Sequence, residues 1–235
     1  MKTNDSQTTN WWTKHSKIYD RIWDSPWTEY FGGYIVGILK ENQVQKVLEV
    51  GCGTGLITKL FVENDFDVIS SDNCEKMLEC AKAKCEKTVD FVCKDASQFL
   101  YEDENICEAV VAMNLLHVCD DAEAVIKSII KKIEKDNAIA ILTWPTDYLT
   151  ISSMFALDKK YGRSFTDSVY ASMLRLYSGL SGAQKNIRRN NHKKILETIN
   201  NCLLAQSLIN IEKNETIEGC QHVMVLQPAA RMSII

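Results

Sequence analysis

The sequence has no excess of basic residues, no long apolar run and no internal repeat. With 27 lysines and arginines against 31 aspartates and glutamates, the formal net charge is −4 and the pI is about 5.7. This balance gives no overall positive field that would attract nucleic acid or anionic lipid. No apolar run approaches the roughly 20 residues that span a bilayer. We therefore expect neither nucleic acid nor a membrane as a partner.

The sequence also lacks the paired cysteines of a disulfide framework. Its nine cysteines are odd in number, are scattered along the chain and include no C-x-x-C pair. No signal peptide opens the chain, so the expectation is a cytoplasmic protein with reduced thiols. The spacings of Cys74, Cys80 and Cys85 match no zinc pattern, and no metal site is expected.

The most informative feature present is an apolar segment, 47–50, that runs directly into three alternating glycines, Gly51, Gly53 and Gly55. Glycine permits a tight turn and lets a ligand approach the backbone without meeting a Cβ. The apolar residues that follow predict a helix whose N-terminal amides point into this turn. The pattern predicts a βα turn that holds a nucleotide-like cofactor. A dinucleotide fingerprint has its third glycine one position later, where Leu56 stands, which weakens an NAD or FAD interpretation.

Strand and helix patterns alternate after this turn. Five short apolar segments predict strands, at 47–50, 67–71, 89–93, 109–113 and 138–143. Such alternation implies right-handed βαβ crossovers and an α/β fold with a doubly wound, mostly parallel, Rossmann-like sheet.

The remaining segments complete a single predicted domain. Its parts are an N-terminal helical cap, 11–40; a cofactor-binding core, 46–145; a helical insertion over the site, 146–187; and a C-terminal helix with edge strands, 188–235. The cap reads as two helices broken near Ser25 and Pro26. Two last strands, at 208–212 and 222–226, bring the predicted sheet to seven strands with an antiparallel edge.

Polar residues follow successive strands of this predicted sheet, where open parallel sheets bind their ligands. Asp72 stands about 20 residues beyond Gly51, where a carboxylate can accept both hydroxyls of a ribose. Asp95 follows the third strand and can accept from an adenine amino group, and Asn114 and His117 follow the fourth. A single acid at a strand end is common in turns and helix caps. Ordered signals after successive strands indicate a site.

These residues resemble the successive cofactor motifs of class I S-adenosylmethionine-dependent methyltransferases of the small-molecule type. The motifs are the segment 49–55, Asp72, Asp95 with Ala96, and the segment 114–117, and the resemblance covers about residues 19–145. It implies S-adenosyl-L-methionine as the cofactor. The residues that it implies for cofactor binding are Tyr19, Glu49, Gly51, Cys52, Gly53, Gly55, Asp72, Asn73, Met77, Asp95, Ala96 and Asn114.

The resemblance also assigns roles around the turn. Gly51, Gly53 and Gly55 would line the methionine part of the cofactor, Glu49 would hold the turn and the amino group, and Asp72 would bind the ribose.

Further residues are assigned to the two ends of the cofactor. Asn73 and Met77 would flank the adenine, and Asp95 would accept from its amino group. Asn114 would offer its backbone carbonyl to the methionyl ammonium, and Tyr19 would help to close the site.

The implied activity is transfer of a methyl group to an O, N or C atom of a small metabolite by in-line displacement, with the acceptor about 3 Å from the methyl carbon. His117 is the candidate general base for an acceptor that carries a proton. The alternative is that this histidine packs the loop or orients the substrate. Trp144 and Tyr148, at the end of the fifth strand, are the candidate substrate contacts.

Two other functions stay open at this point. One is a non-catalytic cofactor-binding protein that uses the fold as a regulatory or partner module, and the more remote one is an NAD-dependent oxidoreductase. The sequence does not identify the methyl acceptor, and both a monomer and a homodimer agree with it.

Overall fold

We describe a computed structural model of the chain over residues 5–85, 89–180, 190–204 and 208–234. The helices are α1 (Asp5–Trp23), α2 (Pro26–Glu41), α3 (Leu56–Glu63), α4 (Glu75–Cys85), α5 (Ala96–Glu102), α6 (Ala122–Asp136), α7 (Ile151–Lys160), α8 (Phe165–Leu180) and α9 (His192–Leu204). The strands are β1 (Lys46–Val50), β2 (Asp67–Asp72), β3 (Asp90–Cys93), β4 (Ala109–Met113), β5 (Ile139–Pro145), β6 (Ile209–Ile217) and β7 (Gln221–Pro228). A short 3-10 helix, Ala229–Ile234, follows β7.

The seven strands form one sheet in the order β3-β2-β1-β4-β5-β7-β6. Strands β1 to β5 pair in parallel, while β7 pairs antiparallel with both β5 and β6. The strand order reverses between β1 and β4, which is where sheets of this kind bind ligands. The predicted doubly wound sheet with an antiparallel edge is confirmed.

Helices cover both faces of the sheet because the central strands carry apolar residues on both sides. In β4, Val110 and Ala112 belong to a buried cluster with residues of α5, α6 and α9. The intervening residues, Ala109 and Val111, pack instead with residues of α2, α3 and α7. This two-sided burial explains why the central strands are almost continuously apolar.

The segment predicted as an N-terminal cap contains the two helices α1 and α2. Ser25 caps α2 and accepts a hydrogen bond from the backbone of Thr28, while Pro26 occupies the first turn, where its missing N–H costs nothing. Helix α1 is fixed over the glycine turn through Asp20, whose carboxylate accepts from Thr54 Oγ1 at 2.5 Å and pairs with Lys84 Nζ at 2.6 Å. Helix α1 therefore lies against the carboxyl end of the sheet, whereas α2 packs on one of its faces.

The insertion after β5 contains α7 and α8, and residues 181–187 of the predicted insertion lie outside the described range. Arg175 of α8 connects it to the cap, since its guanidinium donates to Asp158 Oδ2 and to the backbone oxygen of Ile22, both at 2.8 Å.

The last two strands are longer than the sequence suggests. They form an antiparallel hairpin in which β6 is the edge strand. Much of β6 is exposed, so its sequence carries little of the apolar alternation by which a strand is recognised. Its length is set by pairing with β7, which is buried along its whole length.

Candidate active site

The glycine turn between β1 and α3 has the backbone that its sequence predicts. Gly51, Gly53 and Gly55 have φ values of 73°, 58° and 78°, in the left-handed region that favours glycine. A Cβ at Gly51 would lie 2.9 Å from the Leu115 side chain. A Cβ at Gly53 would meet nothing within 4 Å, because this residue borders an open cavity. The turn thus brings bare backbone to the wall of that cavity.

Gly55 makes a packing contact that the family resemblance does not imply. A Cβ here would lie 2.8 Å from Cβ and 2.9 Å from Cα of Ala81, so this glycine lets α4 pack directly against the start of α3. Gly55 is not among the residues that line the cavities described below. The structure thus shows a packing role for Gly55, and its contact with the cofactor stays a prediction.

The carboxylate of Asp72, the last residue of β2, accepts a backbone hydrogen bond at each of its two oxygens. Its Oδ2 accepts from the amide of Gly53 and its Oδ1 from the amide of Cys74, each at 2.9 Å. Burial raises the pKa of this carboxyl, although the two amides and that of Asn73 act in the opposite direction. Asp72 therefore orders the glycine turn and places a carboxylate beside it.

Glu49, on β1, lies beneath the turn with a side chain that is almost fully buried. Its Oε2 accepts from Thr58 Oγ1 at 2.6 Å and from Ser70 Oγ at 2.7 Å. Burial raises the pKa of Glu49 to about 7, against the lowering effect of these two hydroxyls. The carboxyl is thus poised to change charge near neutral pH.

The largest group of predicted cofactor residues lines one cavity of about 180 Å³, which we call the glycine chamber. Its wall includes Tyr19, Gly51, Gly53, Asp72, Asn73, Met77, Lys94, Asp95, Ala96, Asn114, Asp120 and Asp121. Four aspartates against one lysine make this wall acidic. The carboxylate of Asp95 also caps α5, where it accepts from the amides of Ser97 and Gln98. The chamber therefore suits a ligand that is cationic or rich in hydroxyl groups.

Glu49 and Cys52 border a smaller cavity of about 100 Å³ on the other side of the turn. Burial, with smaller contributions from Glu49 and Asp72, raises the pKa of the Cys52 thiol well above its usual range. Cys52 is accordingly a neutral thiol on this wall.

A second large cavity, of about 260 Å³, opens beneath the cap and the insertion, and we call it the aromatic chamber. It is lined by Trp11, Trp12, His15, Tyr19, Ile22, Trp23, Asn114, His117, Val118, Pro145, Leu149, Thr150, Ile151, Met154, Arg175 and Gln221. The candidate base His117 thus borders this chamber and not the glycine chamber.

Tyr19 and Asn114 border all three cavities. Asn114 has a φ of 52°, and its Oδ1 accepts from Gln221 Nε2 at 2.9 Å. Burial, and then the neighbouring Asp72 and Asp20, raise the pKa of the Tyr19 hydroxyl, which stays protonated. These two residues form the junction between the chambers.

Both candidate substrate residues lie away from the chambers. Trp144 is fully buried, stacks on His222 with ring centroids 4.5 Å apart, and donates from Nε1 to His192 Nδ1 at 2.8 Å. Strand alternation places it on the face that α9 covers. Tyr148 is 78% exposed and, like Trp144, lines none of the three cavities, so the structure lends no support to the expected substrate contact of either residue, which stays a prediction.

Sequence reasoning did not assign Arg175 and Gln221 to the site. Gln221 begins β7, and nothing local in the sequence relates it to Asn114, more than 100 residues earlier. Arg175 had one signal that could have been used, since it is an arginine among the aromatic and apolar residues of α8.

Comparison with known proteins agrees with this geometry. A family model described as a methyltransferase domain matches residues 47–136. Human glycine N-methyltransferase is 39% identical over 54 residues, which are 23% of this chain and 18% of that protein, so the match spans about a fifth of its length.

Two solved structures are similar over nearly the whole chain. N-methyltransferase NodS from Bradyrhizobium japonicum, in complex with S-adenosyl-L-homocysteine, has a TM-score of 0.61 at 11% identity, over 94% of this chain and 98% of that chain. The DhpI complex with S-adenosylhomocysteine has a TM-score of 0.61 at 16% identity, over 97% and 98%.

The fold is that of the class I S-adenosylmethionine-dependent methyltransferases, and residues 47–136 match the methyltransferase domain family. The class of protein predicted from the sequence is confirmed. Within the described residues, no helix has the length and apolar character needed to cross a bilayer.

Proposed function

We propose that the chain transfers a methyl group from S-adenosyl-L-methionine to an O, N or C atom of a small molecule. The observation that carries this proposal is the junction at Tyr19 and Asn114, where an acidic chamber beside the glycine turn meets a second chamber walled by aromatic residues. Two ligands held in these chambers would face each other at that junction. An enzyme that transfers a group from one substrate to another needs this arrangement.

The residues of the glycine chamber fit the cofactor. The space above Gly53 would be reduced by any Cβ, as expected where a ligand approaches the backbone closely. The four aspartates match a ligand with a sulfonium and an ammonium charge, and Asp72 is placed to accept from ribose hydroxyls. Met77 and Asn73 supply walls for the adenine.

When bound, the cofactor supplies a methyl group that its sulfonium already activates. The chain's own residues then have to position the acceptor and exclude water. The acceptor atom would provide the electron pair of the new bond to carbon, and the sulfur would keep the pair of the bond that breaks. If that atom carries a proton, His117 is the side chain of the aromatic chamber that we propose as its base, an effect of about 10²–10⁴-fold.

Calorimetric titration with S-adenosylhomocysteine tests the cofactor site. We expect the wild-type protein to bind it and Asp72→Asn to bind it at least ten-fold more weakly, since the amide cannot accept from two backbone amides and a ribose. Asp67→Asn is the matched control, because this carboxylate lies on the same strand but is exposed at its far end. Failure of the wild type to bind would refute the proposal, and tighter binding of NAD would favour an oxidoreductase.

A transfer assay with labelled cofactor and a metabolite panel separates an enzyme from a binding module. Methylation of at least one small molecule is expected, and cofactor binding with no transfer to any acceptor would favour a non-catalytic protein. His117→Ala should lower the rate and abolish its dependence on the pH range in which histidine titrates. Full turnover by this variant would remove His117 from the mechanism.

A further inference from the structure

The two chambers differ in charge. The wall of the glycine chamber carries four aspartates and one lysine. Among the described residues that line the aromatic chamber there is no aspartate or glutamate, while Arg175, His15 and His117 are present. Because charges in a partly dry cavity interact more strongly than in water, this contrast bears on the charge of each ligand.

Arg175 belongs to a buried cluster of charged side chains at the edge of the aromatic chamber. It is 2% exposed, and the same Asp158 carboxylate that it contacts at 2.8 Å also lies 3.5 Å from Arg163. One carboxylate thus faces two guanidinium groups, and Arg175 is the member of the cluster that borders the aromatic chamber.

His15 adds a second polar group on the same wall. Its Nδ1 lies 2.8 Å from the backbone oxygen of Trp11, and a carbonyl can only accept, so Nδ1 carries the proton. Nε2 accepts when the ring is neutral and donates when it is charged. The ring stacks on Trp11 with centroids 4.1 Å apart, which fixes its plane.

Flat apolar surfaces make up much of the remaining wall. Trp11, Trp12 and Trp23 line the chamber, and the Arg175 guanidinium lies 5.6 Å from the centroid of the Trp23 ring. Aromatic walls of this kind bind rings and apolar chains. They offer a phosphate, with its higher charge and many acceptor oxygens, few partners.

We propose that the methyl acceptor is a small organic carboxylate, with its charged group directed to the Arg175 side of the aromatic chamber and its apolar body against the tryptophans. This inference rests on the proposed function, because it names the substrate class of that site. One guanidinium matches a single negative charge. The carboxylate is the group by which the molecule is recognised, and the atom that accepts the methyl lies elsewhere on it, toward the junction at Tyr19 and Asn114.

The test uses two series of probes of matched shape: benzoate, benzamide and benzylamine, and butyrate, butyramide and butylamine. Each is titrated into the full chain saturated with S-adenosylhomocysteine, with binding followed by tryptophan fluorescence and by calorimetry. In at least one series we expect the carboxylate to bind ten-fold or more tightly than its amide and its amine. An amide or amine that binds as tightly, or no binding of either carboxylate, would overturn the inference.

Variants test whether Arg175 is the source of the preference for a carboxylate. Arg175→Met should abolish the preference for the carboxylate and leave Asp158 paired with Arg163, whereas Arg175→Lys should retain part of it. Arg21→Gln removes the same charge from an exposed position on α1 that lines neither chamber, and should leave the preference unchanged. An unchanged preference in Arg175→Met would contradict the assignment.

Binding of S-adenosylhomocysteine by each variant reports whether it is folded. The same measurement separates the two hypotheses. No binding of S-adenosylhomocysteine by the wild type would overturn the proposed function. Binding of S-adenosylhomocysteine without selectivity for carboxylates would overturn this inference alone.

Discussion

Glu49 should make the protein less stable as the pH rises from 4.5 to about 7. The side chain is 2% exposed and accepts hydrogen bonds from Thr58 and Ser70, and burial raises its pKa to about 7 from an ordinary value of 4.5. The perturbation we choose is Glu49→Gln. The amide oxygen can still accept from both hydroxyls, but the side chain has no proton to lose.

The sign and size of the effect follow from proton linkage. Below pH 4.5 the carboxyl is protonated in both the folded and the unfolded chain, so its contribution is constant. Between pH 4.5 and about 7 the unfolded chain has lost this proton while the folded chain keeps it, so the free energy of unfolding falls as the pH rises. At about 1.4 kcal/mol per pKa unit, the loss reaches about 3 kcal/mol above pH 7.

Urea unfolding followed by circular dichroism, at intervals from pH 4.5 to 8, measures this directly. The quantity of interest is the free energy of unfolding of Glu49→Gln minus that of the wild type. It should increase by about 3 kcal/mol across the range, whatever constant offset the new amide introduces. Glu63→Gln, an exposed position on α3, should show a nearly constant difference.

A difference that stays flat for Glu49→Gln would refute the reasoning, because it would mean that this carboxyl is ionised in the folded protein throughout the range. A difference that decreases with pH would contradict the assigned direction of the pKa shift.

Three further predictions concern stability. Gly55→Ala should lower the free energy of unfolding by at least about 2 kcal/mol, because the new Cβ would lie 2.8 Å from Ala81 Cβ on a backbone with a φ of 78°. Lys132→Met should lower the free energy of unfolding by about 3–5 kcal/mol. Lys132 is 3% exposed, and its Nζ lies about 3 Å from the buried carboxylates of both Asp103 and Asp136, which the variant would leave unpaired with it. Burial, and then the neighbouring His192, lower the pKa of His222 to about 4 from 6.5. Relative to His222→Gln, the free energy of unfolding of the wild type should therefore fall by up to about 3 kcal/mol as the pH falls from 6.5 to 4.

Urea unfolding measures all three, and the chain offers controls for two. Gly33→Ala adds a Cβ in α2 where nothing lies within 4 Å, and should not destabilise. Lys131→Met removes the same charge from an exposed position beside Lys132. Equal stabilities of a variant and its control, or a pH-independent difference for His222→Gln, would contradict the corresponding prediction.

Local signals in the sequence pointed to several residues that the structure brings together at one cavity. Asp72, Asn73, Met77 and Asp95 all line the glycine chamber, because each follows directly from where a strand ends. Gly55 shows the limit of this reasoning. Its place in the motif is local, but its contact with Ala81 depends on how α4 packs.

The acceptor half of the site depends on packing between distant segments. Trp144 and Tyr148 looked well placed because they end a strand, yet one is buried under α9 and the other points to solvent. Arg175 and Gln221 line the aromatic chamber from α8 and β7. No periodicity or motif specifies such contacts.

The sequence by itself determined the order of strands and helices, the glycine turn and the carboxylate at Asp72, because hydrophobic period and backbone freedom are properties of short segments. Tertiary structure alone decided that Tyr19 and Asn114 join two chambers of opposite character, and that Arg175 brings a positive charge to one of them. These features arise where segments more than 90 residues apart in the sequence meet, and the physical reason is that side-chain packing and charge balance are set by the neighbours that the fold supplies.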